Sequence, residues 1–294
     1  MSARSPHSGW RNAERVPPAA FALATIGIAV FALPVLGLVW RGVGGGAWRE
    51  LATPEILIAL RLSLVCSIAA TACSVVIGLP LAWVQARVQF PGRALVRGLT
   101  TLPIVLPPVV AGVALLVVFG RHGLVGAWLD RRLGIRLPFT TAGAILAETF
   151  VAMPFFVLTS EAALRTADRR LEDAARTLGA APWTVFWRVT VPLVRPSLQA
   201  GAVLCWARAL GEFGATITFA GNFPGRTQTV PLAVYLALER RPEAAIMLSL
   251  LLLAISLVVL VSMRAPQSGA AAPSSLPRTG VPSGDAGVSS HARI

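Results

Sequence analysis

Residues 161–196 read EAALRTADRRLEDAARTLGAAPWTVFWRVTVPLVRP, a charged interruption between two apolar runs. Leu171, Ala174, Ala175 and Leu178 recur at i, i+3, i+4 and i+7, which predicts a short helix with one apolar stripe. Glu172, Asp173 and Arg176 fall on its other face. Gly179 is placed to end that helix, since glycine takes the left-handed conformation without a Cβ penalty. Pro182 suits the first turn of a second helix, where its missing N–H costs nothing. Trp183, Phe186 and Val189 recur every third residue until Pro192, which is expected to stop the second helix. The expectation is a helix-turn-helix too charged for lipid and too apolar on one side for water. Such an element docks on another protein.

Composition says where the rest of the chain lies. Of 294 residues, 55% are hydrophobic and 13% charged, with mean hydropathy +0.70, whereas soluble domains carry about 25% charged residues. This predicts an all-α polytopic membrane protein embedded in a lipid bilayer. The formal charge is +13 and every one of the 26 basic residues is Arg. These arginines are spread through short loops between apolar runs, the pattern of a positive-inside topology and not of a nucleic-acid-binding surface. Without Lys no G-x-x-x-x-G-K-[ST] phosphate loop can exist, so the chain itself does not hydrolyse ATP by that route. No GxSxG or HExxH occurs and no His lies in an apolar run, which argues against a membrane enzyme. No catalytic residue and no metal site is assigned. Cys66, Cys73 and Cys205 lie inside apolar runs and read as small buried hydrophobes.

Six spans are expected, near residues 19–40, 56–84, 99–119, 141–159, 197–220 and 244–263, each about long enough for a ~30 Å hydrocarbon core. Pro103, Pro107 and Pro108 must kink or break the third. The domain reading is a polar tail over residues 1–18, a transmembrane domain over 19–264 with coupling helices within 161–196, and a disordered tail over 265–294 rich in Pro, Ser, Gly and Ala. Six crossings put both termini on one side with the loops at 85–98 and 161–196. Most arginines fall there, so that side is expected to be the cytoplasm.

A polar set occupies the fifth span, in RALGEFGATITFAGN: Arg208, Glu212, Thr216, Thr218 and Asn222, with Glu148 on the fourth. Charges at bilayer depth cost about 2.5–3.5 kcal/mol each on insertion scales and therefore face protein or a polar cavity. Arg208 and Glu212, four apart, can pair, with Thr216 next on that helical face. Gly211 and Gly214 permit close helix approach. One reading is an ion pair that fixes the bundle. The other is a translocation path for an oxyanion, because the planar guanidinium and the Thr hydroxyls match tetrahedral anion oxygens.

The hairpin also resembles the "EAA" coupling signature of bacterial ABC importer permeases: E-A-A, three residues, Gly, nine residues, then I-x-L-P. Here Asp173, Ala174 and Ala175 precede Gly179, and Val189, Val191 and Pro192 close the pattern, with Asp replacing Glu and Val replacing Ile and Leu. The resemblance implies a type I importer permease in the bacterial inner membrane, with Glu172, Asp173, Ala174, Ala175, Gly179 and Pro192 as the ATPase-coupling set. Residues 208–222 followed by PGRTQTVPLAVY over 224–235 resemble the molybdate branch of the sulfate, thiosulfate and molybdate permeases. The R-A-x-G-E-[FY]-G part is shared by that whole oxyanion group. The resemblance further implies a permease homodimer, two cytosolic ATPase subunits that use the ATP, and an extracytoplasmic molybdate-binding protein. No cofactor is expected on this chain. The alternatives are a sulfate or thiosulfate permease of the same family, or an ion-driven secondary transporter using Glu148 or Glu212 for protons.

Overall fold

The computed structural model describes residues 18–44 and 53–264, and every regular element among them is helical. The expected tails at residues 1–18, Pro18 excepted, and 265–294 lie outside the described residues, as do residues 45–52. Four helices are long and apolar enough to cross a membrane: α1 (Pro18–Gly44), α2 (Pro54–Arg87), α6 (Thr141–Thr166) and α12 (Pro242–Arg264). They match the first, second, fourth and sixth expected spans.

The other two spans are broken, and each break has a cause in the sequence. The third is split into α3 (Arg93–Val105) and α4 (Pro108–Phe119). Pro108 cannot donate a helical N–H, and Pro107 forces Leu106 into extended backbone (ψ 133°). Pro103, by contrast, lies inside α3. The fifth is split into α9 (Val191–Leu210) and α10 (Gly214–Phe219), so the expectation of one helix from 197 to 220 is corrected. Gly211 caps α9, and the Glu212 carboxylate satisfies the first turn of α10 by accepting from the Ala215 amide at 2.8 Å. Broken helices survive at membrane depth only where protein or a polar cavity covers them. Here α10 packs against α4 and α6.

The centre of the bundle is α2 against α6 and α9. Ala70, Leu79, Ala152, Phe156, Cys205 and Ala209 form one buried cluster, and Ala111, Leu115, Ala147, Val151, Ala215 and Phe219 another between α4, α6 and α10. Small side chains at these seams let backbones approach where lipid supplies no hydrophobic drive for helix association. Cys66 and Cys205 are buried as expected, but Cys73 is exposed on the outer face of α2. Polar bonds lock the seams: Trp206 Nε1 donates to Ser67 Oγ at 2.9 Å, and the Val230 amide donates to Ser63 Oγ at 2.6 Å. The stretch read as a polar loop after the fifth span holds a further helix, α11 (Val230–Arg240), opened by Pro231 in its first turn. The remaining element before the hairpin is α5 (Gly126–Leu133), between α4 and α6. Helix α1 packs on α12 and leaves Phe21, Phe31 and Trp40 bare, which suits a lipid or protein environment and not water.

Candidate functional site: an exposed helical hairpin and a broken-helix polar cluster

The hairpin is α7 (Arg169–Thr177) followed by α8 (Pro182–Val185). Asp168 caps α7, its carboxylate accepting from the Arg170 amide at 2.9 Å. At the other end the Ala180 amide donates to Ala175 O and the Gly179 amide to Arg176 O, with Gly179 at φ +84°. That is the paired-bond termination for which a left-handed glycine is suited. The apolar stripe points away from the molecule: Leu171 is 50% and Leu178 88% exposed. The charged face opposite the stripe is the one turned inward, at Glu172. This residue is buried, and its Oε1 lies 2.7 Å from Arg87 Nη2 at the end of α2. Asp173 remains outside, 3.4 Å from Arg176 Nη1.

Pro192 does not stop the second arm, as expected from sequence; the chain continues through it into α9. The reason is a single π-helical turn over Phe186–Thr190, in which the Val191 amide bonds back to Phe186 O. A wider turn accommodates a residue that lacks an N–H and would crowd the preceding carbonyls. It also turns Thr190 inward, where its Oγ1 donates to Glu172 Oε1 at 3.1 Å. The arm is held to α2 by rings. Phe186 packs edge-on to Trp83 at 5.9 Å, stacks on Trp183 at 5.8 Å, and meets Trp187 at 5.1 Å. The every-third-residue pattern identified Trp183 and Phe186 but missed Trp83, which is a hundred residues earlier in the chain and carries no local signal. Arg87, within the loop expected at 85–98, is instead the last residue of α2 and likewise carries no local signal.

A second hub lies at the same end of the bundle. Glu161, at 1% exposure, sits on the hairpin end of α6, between Arg165 at 2.7 Å and Arg97 of α3 at 3.5 Å. The charged stretch thus begins inside a membrane helix, because these arginines compensate the buried carboxylate.

The polar set of the fifth span is only partly assembled on one face. Arg208 Nη2 and Glu212 Oε2 are 2.7 Å apart, with Glu212 buried and the Arg208 side chain 28% exposed. The helix break removes Thr216 from that face. Thr216 is fully buried on α10, and Thr218 Oγ1 donates to Gly214 O at 2.8 Å. Asn222 is half-buried beyond the end of α10. Glu148 is buried on α6. Arg208 is therefore the one member of the set that combines a full charge with an open side.

Residues 74–267 match the family model described as binding-protein-dependent transport system inner membrane component. The chain is 46% identical over 244 residues to the molybdenum transport system permease protein ModB of Mycobacterium tuberculosis, covering 82% of this chain and 91% of that one. It is 46% identical over 181 residues to ModB of Escherichia coli, covering 62% and 79%. With the sulfate transport system permease protein CysT of E. coli the identity is 36% over 222 residues, covering 75% and 80%. Among solved structures, a chain of a bacterial ABC transporter involved in the import of the acidic polysaccharide alginate superposes with TM-score 0.68 at 18% identity, covering 84% of this chain and 93% of that one. The helical arrangement is that of ABC importer permeases, and this chain belongs to the family of binding-protein-dependent transport system inner membrane components.

Proposed function

We propose that the chain is the membrane-spanning subunit of an ATP-driven importer of molybdate or its congener tungstate. The observation that carries this reading is the 46% identity to molybdenum permeases over most of both chains, against 36% to a sulfate permease. In this reading two copies form the channel, two separate ATPase subunits bind the hairpins, and an extracytoplasmic protein delivers the anion. The hairpin and both termini face the cytoplasm of a bacterial inner membrane. ATP is used by the partner, and this chain carries no cofactor.

Two features of the geometry support the division of labour. The exposed stripe of Leu171 and Leu178, with Asp173 beside it, is what a partner's surface cleft would cover. Arg208 offers guanidinium donors from a helix break, while its pairing with Glu212 keeps the site from holding an anion tightly, as a path requires. The test is co-purification of the chain with its ATPase and binding-protein partners, followed by labelled molybdate uptake in proteoliposomes competed by tungstate and sulfate. Competition by tungstate but not sulfate is expected. Equal competition by sulfate would transfer the assignment to the sulfate branch, and uptake that follows a proton gradient without ATP would remove the importer reading.

A further inference from the structure

We infer that Arg87 is the positioning residue that fastens helix α7 of the coupling hairpin to α2, so that displacement of α7 is passed to α2 through a buried ion pair. This deepens the importer reading and rests on it.

Arg87 is the last residue of α2 and lies outside the coupling signature. Its Nη2 stands 2.7 Å from Glu172 Oε1, with side-chain exposures of 7% and 5%. The same Oε1 accepts from Thr190 Oγ1 at 3.1 Å. One carboxylate oxygen therefore joins three segments far apart in sequence: the end of α2, the exposed helix α7, and the π turn at the root of α9. Otherwise α7 packs chiefly on its own second arm, through α8 and the π turn. The exposed pairs of the hairpin, such as Asp173 with Arg176, re-solvate when pulled apart and transmit little. The Arg87 pair behaves differently, because separating it strands charges that water does not reach. It holds while the hairpin moves, and α2 moves with it. That helix is 34 residues long, packs on α6 and α9, and at its far end bonds the Val230 amide through Ser63. It therefore connects the hairpin to the opposite side of the bundle.

The experiment uses the complete complex in proteoliposomes and reads molybdate transported per ATP hydrolysed. Arg87→Gln is expected to lower this ratio on the order of tenfold, the size of a typical inter-site coupling. Glu172→Gln should do the same, the double Gln variant should be no worse than either, and the swapped pair Arg87→Glu with Glu172→Arg should recover much of the ratio. A merely structural role would reduce the yield of complex and leave the ratio of the surviving complex unchanged. An unchanged ratio in Arg87→Gln, or a double variant as poor as the product of the two singles, overturns the inference. If Arg87→Gln does not assemble, the swapped pair decides: restored assembly with a near-normal ratio upholds the linkage, and no restoration overturns it. Failure of the underlying function would show in the wild-type complex, as hydrolysis without molybdate uptake, whereas failure of this inference shows only in the variants.

Discussion

Gly214, at the start of α10, lies directly against Pro108, at the start of α4: a Cβ added to Gly214 would fall 2.6 Å from Pro108 Cβ and 3.2 Å from the Val109 amide nitrogen. One turn further on, a Cβ at Gly112 would meet Thr218 Cβ at 2.6 Å and Ala215 O at 2.9 Å. The two broken spans are thus in contact, backbone to backbone, beside the Arg208 and Glu212 pair. The obstructing atoms are a ring, a β-carbon and a carbonyl, none of which can rotate away. Gly112→Ala is expected to destabilise the protein by about 1–3 kcal/mol through overpacking. Thermal melting of the purified protein in detergent checks this; an unchanged midpoint would mean that α4 and α10 part easily.

Arg208→Ala leaves Glu212 buried with only the Ala215 amide as a partner, so a loss of transport in that variant alone would be ambiguous between path and fold. Arg208→Ala combined with Glu212→Gln removes both charges and keeps an acceptor for Ala215. If Arg208 lines the path, the double variant assembles, hydrolyses ATP with its partners and has much reduced molybdate uptake. Normal uptake would return the pair to a purely structural role.

Gly179 has open space around the position of a missing Cβ but a φ of +84°. Gly179→Ala therefore meets no clash and costs about 1–2 kcal/mol in left-handed backbone strain, felt locally at the hairpin turn. Gly179→Arg adds a long charged side chain between Leu178 and the second arm and is expected to abolish capture of the ATPase subunits. Wild-type co-purification of Gly179→Arg would exclude this turn from the docking surface.

Two buried glutamates at the same end of the bundle should respond unequally to truncation. Glu172→Ala strands Arg87, whose side chain is 7% exposed, and is expected to cost about 3–5 kcal/mol. Glu161→Ala frees Arg97 and Arg165, which are 46% and 37% exposed and turn to solvent. Its cost should be nearer 1 kcal/mol, the scale of exposed ion pairs. Denaturation midpoints of the two variants, measured side by side, test the order.

The membrane class, the place of the hairpin and its glycine termination were legible in the sequence because each is set by local chemistry. Apolar run length decides where the chain enters lipid, a proline decides where a helix cannot donate, and a glycine after an apolar stripe decides where it turns. The same local reasoning made Pro192 an end, because the pattern does not reveal that a single wide turn over Phe186–Thr190 absorbs the proline and carries the helix into α9. It also put Glu172 on the charged face opposite the stripe without showing that this face turns inward there. What faces solvent is decided by what else reaches that face, and Arg87 arrives there from 85 residues earlier. The sequence by itself determined that the chain is an all-helical membrane protein, where four long apolar helices run, and where a short charged hairpin interrupts them. Only the tertiary structure decided that the fifth span breaks beside the third, that Thr216 is packed away from Arg208, and that the hairpin is tied to α2, since these depend on contacts between residues with no periodic relation to one another.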